Sequence, residues 1–354
     1  MRRRITLRAC AVALALVVAA AVGLLPAGRG PGQAAAAAGG TTIYLPFTSV
    51  ADFYAEWAAL GQPAGGAAVN YLYVGPDCAG GRPKTILAAT DKGLYSYGGG
   101  LTWTRNTALR ADLEASHILN TSAGMFLTSY NIGLWHSGNG GTTWAPEPLP
   151  GSETFTRWMA ANDQFLYVAG DRGLYRRALA GGAWATIRGT ATYVVAASGG
   201  TVYAAEIGPV DGKDTLYIST DGGATWPITR QLPGAVDWFQ TFDTSGAKLL
   251  IGTVDGGLFA LDGSNNVVPF SQGINLTASG IWRDAQGRVY AAFDAPGGLR
   301  RFPAAGGASD LDLSALPGAG GMAGENLYTV NGSSACNLIV TGSAAGNVWA
   351  RRIP

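Results

Sequence analysis

The sequence is poor in charged residues, histidine, cysteine and methionine. Only 13% of its 354 residues are charged, and it contains 2 histidines, 3 cysteines and 4 methionines. His117 and His136 show no zinc-ligand spacing, and no nucleophile elbow or phosphate-binding glycine loop is present. The net charge of +1 excludes a broad basic surface. We therefore expect no metal site, no cofactor, no catalytic residue and no nucleic-acid partner.

Uncharged runs long enough to span a membrane are absent after the N-terminus. Residues 9–27 form the one such run, and they follow Arg2, Arg3, Arg4 and Arg8. An alanine-rich tract at 33–38 comes next. This order is typical of a secretory signal peptide, so we expect residues 1–38 to direct export and 39–54 to be a linker. A retained anchor helix is the alternative, and it would be the chain's one contact with a membrane.

The predicted signal peptide also accounts for the slight basicity of the chain. Five of the 24 basic residues lie in it and none of the 23 acidic ones does, so the remainder has a net charge of −4. Cys10 lies in it as well, which leaves Cys78 and Cys336. Two cysteines in an exported chain favour a disulfide, with two free buried thiols as the alternative.

Glycine and aromatic residues, by contrast, are plentiful, and they recur with a period. The chain contains 53 glycines, and 10% of its residues are aromatic. A β-rich run, a polar turn and Gly-Leu before an aromatic residue occur together in TILAATDKGLYSY at 85–97 and MFLTSYNIGLWHS at 125–137. Five further copies have the markers Gly173, Thr215, Gly257, Gly298 and Asn347. The first two copies have the markers Gly93 and Gly133. Successive markers of the seven copies are 40, 40, 42, 42, 41 and 49 residues apart.

Seven copies of this length predict a repeat architecture with one structural unit per copy. Each copy divides into four short runs, rich in Val, Ile, Tyr, Thr and Trp, that are separated by turn residues. Four strands in about 40–45 residues is the blade of a WD40-like propeller. We therefore predict an all-β fold, a single seven-bladed β-propeller with four-stranded antiparallel blades over residues 55–354.

One turn motif recurs between the third and fourth strands. Residues 219–226, STDGGATW, match the Asp-box S-x-D-x-G-x-T-W at every specified position. Residues 137–144 match with Asn for Asp, and residues 96–103 keep Ser, Gly, Thr and Trp. The motif residues are Ser219, Asp221, Gly223, Thr225, Trp226, Ser137, Asn139, Gly141, Thr143, Trp144, Ser96, Gly100, Thr102 and Trp103. The chain thus resembles the BNR/Asp-box repeat proteins of the sialidase-like propeller superfamily.

The Asp-box residues are interpreted as structural. Asp or Asn accepts backbone N–H groups of its own turn, glycine permits a positive φ, and Trp packs under the hairpin. The resemblance implies a second possibility, a glycoside hydrolase with a diverged site. Sialidases use an arginine cluster and a Tyr/Glu pair, and other glycosidases use paired carboxylates. Convergence of such groups on the face away from the Asp-boxes would distinguish the two functions.

The ring is expected to close with a strand from the N-terminal side. The seventh copy lacks a fourth strand, whereas residues 53–60 precede the first copy and include Trp57. We expect residues 55–60 to supply that strand, which would remove an exposed sheet edge. Cys78 and Cys336 fall in equivalent loops of the first and last copies, so their disulfide would secure the closure.

Two residue sets are candidates for ligand binding. The first consists of polar residues in the loops between the second and third strands, Asp91, Asn131, Asp171, Glu206, Asp255 and Asp294. They form either ordinary turns or an acidic ring that attracts a cation or a cationic ligand. The second consists of aromatic residues on the innermost strands, chiefly Trp158, Trp238 and Trp282. They serve either packing between blades or stacking of sugar rings. We therefore expect an exported, non-catalytic propeller that binds a protein or glycan on the face opposite the Asp-boxes.

Overall fold

The structure is a computed structural model, and the seven-bladed propeller is confirmed. It describes residues 56–79, 82–208, 213–234, 236, 238–246 and 248–353. The predicted signal peptide and linker lie outside the described residues. Seven four-stranded antiparallel sheets follow one another around a ring, and the first strand of each sheet packs against the first strands of its neighbours. These strands therefore surround a central channel, and the strands of each blade are lettered A to D from the channel outward.

Blades 1 to 4 are built from consecutive strands. Blade 1 consists of Val69–Val74, Ile86–Thr90, Gly93–Gly99 and Thr102–Arg105. Blade 2 consists of Ala115–Thr121, Gly124–Ser129, Leu134–Ser137 and Ala145–Glu147. Blade 3 consists of Thr156–Ala161, Phe165–Gly170, Gly173–Ala178 and Ala185–Arg188. Blade 4 consists of Thr192–Ser198, Thr201–Glu206, Thr215–Ser219 and Ile228–Arg230.

The remaining three blades follow the same plan, except that strand D of blade 7 comes from the start of the ring. Blade 5 consists of Phe239–Asp243, Leu250–Thr253, Leu258–Leu261 and Val267–Pro269. Blade 6 consists of Ala278–Arg283, Val289–Phe293, Gly298–Phe302 and Leu311–Asp312. Blade 7 consists of Leu327–Ser333, Leu338–Ser343, Val348–Arg352 and Ala58–Gly61.

Short elements complete the described part of the chain. A two-residue hairpin, Cys78–Ala79 with Arg82–Pro83, lies between strands A and B of blade 1. The helical elements are single 3-10 turns at Pro150–Ser152, Leu313–Ala315 and Met322–Gly324. Among the described residues, no helix has the length and apolar character needed to cross a bilayer.

The hydrophobic core is divided into seven clusters, each between two adjacent blades. Strands B are buried on both faces because a blade covers each side, as in Ile86–Thr90 and Val289–Phe293, where every residue is buried. Their sequences are therefore continuous apolar or small runs. Strands D, by contrast, contain no buried residue except Leu60. The packing of neighbouring blades, repeated seven times, thus stabilises the ring.

Closure occurs between blades 7 and 1, as the sequence predicts. Strand Ala58–Gly61 pairs antiparallel with Val348–Arg352, and Leu60 is fully buried in the cluster between the two blades. Cys78 and Cys336 form a disulfide with a Cα–Cα distance of 5.5 Å. The predicted fourth strand and the predicted disulfide are both confirmed.

The alternation of strands defines two faces. Strand A runs away from one face and strand B returns to it, so this face carries the connections between blades and between strands B and C. We call it the mouth face. The opposite face, which we call the turn face, carries the A–B loops with the disulfide and the C–D turns with the Asp-boxes.

Candidate functional site

Every blade has a β-bulge at the start of strand A. In blade 3, Thr156 pairs with Gly170 and Trp158 with Ala169, so Arg157 is the extra residue. The same shift occurs in the other six blades. A bulge redirects a side chain out of the regular alternation of a strand. The seven bulge residues all have hydrogen-bonding side chains: Asn70, Ser116, Arg157, Tyr193, Gln240, Ser279 and Tyr328.

These seven residues converge on one cavity of about 460 Å³ at the mouth face. We call it the mouth cavity. Its other lining residues are Tyr130, Trp158, Asp214, Trp238, Phe239 and Val254. Each blade therefore contributes a polar group to a common pocket with aromatic walls. Most ligand sites combine apolar walls with a few convergent polar groups in this way.

Arg157 is the one cationic residue among the described residues that line the mouth cavity. Its Nη2 is 3.0 Å from Oδ1 of Asp171, and its side chain is 26% exposed. The guanidinium carbon lies 4.6 Å from the ring centre of Phe155 and 4.4 Å from that of Tyr193. The ion pair and the two rings hold the guanidinium in place.

Several hydrogen-bonding groups of the mouth cavity have no partner in the part of the chain that the structure describes. The hydroxyls of Tyr130, Tyr193 and Tyr328, the amide of Gln240 and the hydroxyl of Ser279 make no hydrogen bond to any described residue. Burial raises the pKa of all three tyrosines, so these hydroxyls stay protonated at neutral pH. The cavity can therefore both donate hydrogen bonds to a ligand and accept them from it.

A second cavity of about 310 Å³ lies farther along the channel. Its walls include three rings from three blades that pack against one another at a tilt, in which His117 lies 4.1 Å from Tyr71 and 4.2 Å from Trp158 between ring centres. Burial lowers the pKa of His117 to about 3, so the imidazole is neutral. Its Nδ1 is buried and has no hydrogen-bond partner among the described residues. We call this space the channel cavity.

The predicted acidic residues surround the mouth cavity, but they do not line it. Asp91 accepts a hydrogen bond of 2.8 Å from Nδ2 of Asn70, and Asp171 binds Arg157, so both hold bulge residues in place. Asp255 accepts a hydrogen bond from the hydroxyl of Thr277 at 3.2 Å. These three acids therefore bind neighbouring side chains around the cavity.

Asp294 differs from the other loop acids because its Oδ1 is buried without a hydrogen-bond partner. Burial, followed by the negative charge of Asp255, raises the pKa of this carboxyl. Asp294 and Asp255 belong to neighbouring blades, so the ring brings two carboxylates near each other that are 39 positions apart in sequence.

Asn131 and Glu206 have structural partners instead. The side chain of Asn131 accepts from the backbone N–H of Glu114 and donates to the carbonyl of Asp112. Glu206 is 3% exposed and forms an ion pair with Arg188. These two members of the predicted set therefore stabilise the connections between blades and are not available on an open rim.

The predicted tryptophans occupy two different places. Trp158 and Trp238 line the mouth cavity, and Trp238 is 51% exposed. Trp282 lines the channel cavity, where its ring lies 5.4 Å from that of Tyr290. The three rings therefore do not form one platform.

The C–D turns at residues 137–144 and 219–226 share one hydrogen-bond pattern. The Thr225 N–H and hydroxyl donate to Asp221 at 2.8 and 2.6 Å, and Ser219 accepts from the N–H of Gly223. Asn139 receives the N–H of Thr143 at 2.9 Å in the same way. The hydrogen bonds from Thr225, followed by that from Ser219, lower the pKa of Asp221. The polar groups of these turns thus bind one another on the turn face.

The third turn makes a contact between blades. Trp103 donates its indole N–H to the carbonyl of Leu60 at 2.7 Å, which links strand D of blade 1 to strand D of blade 7. Tyr97 donates to the carbonyl of Gly100. Trp184 in the C–D turn of blade 3 makes a similar contact between blades, with its indole N–H 3.0 Å from Oε1 of Glu147 in blade 2.

Asp214 is the one carboxylate among the described residues that line the mouth cavity. It is 1% exposed and accepts the backbone N–H groups of Gly208 and Phe239. Neither an arginine cluster nor a pair of carboxylates is found among those lining residues. In the described part of the chain, no group of three or more His, Cys, Asp or Glu residues is arranged to hold a metal ion.

The comparisons with known proteins identify the fold. No protein-family model matches the chain, and no curated protein matches its sequence. YCF48 from Cyanidioschyzon merolae superposes with a TM-score of 0.60 at 13% identity, over 84% of this chain and 99% of that one. YCF48 bound to D1 peptide superposes with a TM-score of 0.59 at 15% identity, over 85% and 96% of the two chains.

The extracellular domain of the putative one component system BT4673 from B. thetaiotaomicron is similar as well. Its TM-score is 0.60 at 16% identity, over 84% of this chain and 40% of that one. At these identities the likeness extends to the β-propeller fold and no further.

Proposed function

We propose that this chain is an exported, non-catalytic propeller of the Asp-box type that binds a protein segment in the mouth cavity. The observation that carries the proposal is the convergence of seven bulge residues, one from each blade, on a single cavity. Five lining groups there have hydrogen-bonding capacity that no described residue uses. A peptide can bind these groups, because its backbone carries hydrogen-bond donors and acceptors at short intervals.

Two further considerations favour a peptide ligand. Tyrosine and tryptophan give large contact area at low entropic cost, and both are enriched in protein-binding sites. The similar propeller YCF48 has been solved bound to D1 peptide. A carbohydrate would use the same rings and hydroxyls, so it is kept as an outcome of the test.

Binding without turnover is proposed because the described lining offers a ligand few reactive groups. Both oxygens of Asp214 accept backbone N–H groups, and Arg157 is already paired with Asp171. Retaining and inverting glycosidases need two carboxyl groups about 5–9 Å apart. Among the described residues that line the mouth cavity, no pair of carboxyl groups supports the hydrolase alternative.

The proposal includes export and the segment limits. We propose that residues 1–38 are removed as a signal peptide, that 39–54 link the cleavage point to the ring, and that the propeller occupies 55–354. N-terminal sequencing of the protein from the culture medium tests this. A start close to residue 39 is expected, whereas protein that stays in the membrane fraction with residues 9–27 intact would indicate an anchor.

The binding proposal is tested with a random 12-residue peptide library displayed on phage and panned against the purified chain. Selected peptides are synthesised and titrated calorimetrically against wild type and against Tyr193→Phe with Tyr328→Phe. This double variant keeps both rings and removes two hydroxyls that bind no described residue, so we expect affinity to fall about tenfold. Tyr203→Phe is the matched control, since its hydroxyl lies in strand B of blade 4, away from the cavity.

Three results would contradict the proposal. The first is that no peptide is enriched. The second is that the double variant binds the selected peptides as tightly as wild type. The third is that the wild-type protein hydrolyses fluorogenic sialosides or β-glucans, which would favour the hydrolase alternative. Binding on a glycan array without hydrolysis, combined with no peptide binding, would move the ligand class to carbohydrate.

A further inference from the structure

The mouth cavity and the channel cavity adjoin each other. Trp158, Ser279 and Tyr328 line both of them, and we call the boundary that these three side chains form the passage. A ligand bound at the mouth can therefore extend a side chain past Trp158 toward His117. The channel is deep enough for a long side chain, because the A strands that surround it are five to seven residues long.

Two polar side chains along this path have hydrogen-bonding groups without a partner among the described residues. Ser279 is 9% exposed, and its hydroxyl is not sealed from the cavity that it lines. His117 is 4% exposed; its Nδ1 is sealed from solvent and unpartnered, whereas its Nε2 is not sealed. Polar groups in protein interiors are normally hydrogen-bonded. A donor on the ligand can therefore bind the Ser279 hydroxyl and the His117 Nε2, whereas an apolar side chain would leave both without a partner.

The walls of the passage favour a cation. The indole of Trp158 and the phenol of Tyr71 meet edge to face with ring centres 5.9 Å apart, and the His117 ring is tilted against both of them. Aromatic faces attract ammonium and guanidinium groups, most strongly where water is excluded. His117 is neutral and presents no competing positive charge.

The charges around the mouth point the same way. Among the described residues, Asp91, Asp255 and Asp294 form no ion pair, while the positive charge of Arg157 is balanced by Asp171. The mouth face therefore has three carboxylates without an ion-pair partner among the described residues, against Lys92 and Arg172 in the same set of B–C turns. This excess of carboxylates attracts a cationic ligand, and the effect is strongest at low ionic strength.

From this geometry we infer that the bound peptide presents a lysine or arginine side chain, which enters the passage between Trp158 and Tyr328 and donates hydrogen bonds to Ser279 and His117. This inference rests on the proposed function, because it names the ligand chemistry of the same cavity. The three unpaired carboxylates draw the basic side chain to the mouth, and the ring faces accommodate its stem and its charge.

The test uses the peptides selected from the display library and measures their affinity after single changes. Replacing the basic residue of a selected peptide by Gln is expected to weaken binding about tenfold or more. Asp91→Asn with Asp294→Asn in the protein should weaken binding and flatten its salt dependence. Asp163→Asn is the matched control, because Asp163 is an exposed acid in an A–B turn on the turn face.

A second variant tests the passage itself. Ser279→Leu fills the space shared by the two cavities, so it should abolish the preference for the basic residue. Its melting temperature is measured alongside, to separate a blocked passage from a misfolded ring. If this variant does not fold, then Ser279→Ala, which removes only the hydroxyl, should weaken binding of the basic peptide and leave its Gln version unchanged.

The outcomes separate the two proposals. Selected peptides that depend on Tyr193 and Tyr328 but need no Lys or Arg would overturn this inference and leave the proposed function standing. Selected peptides enriched in Asp or Glu would overturn it too. A failure to select any peptide, or binding that ignores Tyr193 and Tyr328, would overturn both.

Discussion

Trp103 donates its indole N–H to the carbonyl oxygen of Leu60 at 2.7 Å, although the two residues belong to different blades. Leu60 lies in the strand that completes blade 7, and Trp103 lies in the outer strand of blade 1. The contact joins the first and last blades at the outer edge of the ring. The Cys78–Cys336 disulfide joins the same two blades on the turn face. Closure is thus held at two separate places.

The buried closing strand predicts a large effect of a single truncation. Leu60→Ala should destabilise the protein by about 2–5 kcal/mol, because Leu60 is fully buried between blades 7 and 1. Leu101→Ala is the matched control, since Leu101 is 65% exposed in the nearby turn and its loss should change stability by less than about 0.5 kcal/mol. Urea unfolding measures both. Equal stabilities for the two variants would mean that the closing strand contributes little.

The disulfide predicts sensitivity to reductant. Cys78→Ala with Cys336→Ala should lower the free energy of unfolding by about 2–4 kcal/mol, because the bond joins residues 258 positions apart and restricts the unfolded chain. Wild type in dithiothreitol should unfold at a lower urea concentration than without it. The double variant should not respond to dithiothreitol. A wild type that ignores the reductant would argue against a role of the bond in stability.

Two substitutions of Asp221 should change the melting temperature by different amounts. Asp221→Asn should change the melting temperature little at neutral pH, since Asn139 accepts the same backbone N–H in its own turn. Asp221→Ala should lower the melting temperature more, because the N–H and hydroxyl of Thr225 lose their acceptor. Scanning calorimetry compares the two, with Asp163→Asn as a surface control.

Asp221 should also make the stability of the protein depend on pH in the acid range. Its pKa is lowered in the folded protein, so its contribution to stability is present above the unfolded value near 3.9 and is lost as the pH falls below it. Asp221→Asn should remove that part of the acid sensitivity. The comparison is made between pH 5 and pH 2.

His117 predicts a separate loss of stability in mild acid. Its pKa is lowered from 6.5 to about 3 by burial, so the unfolded chain binds a proton there more readily than the folded one. Stability should therefore be complete above pH 6.5 and fall progressively toward pH 3, with a loss of about 2 kcal/mol by pH 5. His117→Phe, which keeps a ring in the stack, should remove this dependence between pH 7 and 5. An unchanged slope in the variant would assign it to other groups.

The sequence by itself predicted the architecture, because the signals for a blade are local. Repeat length, turn residues and β-rich runs all lie within about forty positions, and each repeat folds against a neighbour of the same kind. Closure was also predictable, since one copy lacked a strand and the N-terminal side offered a spare one. The cysteine pair followed from its equivalent positions in the first and last copies.

The candidate site could be predicted only in part. Of the predicted residues, Trp158 and Trp238 line the mouth cavity, whereas Asp91 and Asp171 hold bulge residues in place. Asn70, Ser116, Gln240 and Ser279 also line the cavity and were not among the predicted residues, because nothing in their local sequence marks a bulge. The aromatic residues picked from the inner strands occupy unequal positions, so Trp282 falls in the channel cavity.

Only the tertiary structure decided which residues share a cavity. One extra residue in a strand reverses which side chains face the channel, and a repeat pattern with a period of about forty residues does not show that shift. The charge balance was also a property of the ring, since Glu206 is neutralised by Arg188 while Asp294 lies near Asp255 of the neighbouring blade. Seven short segments meet at the axis only because the blades close into a circle, and that closure sets the polarity, charge and shape of the mouth.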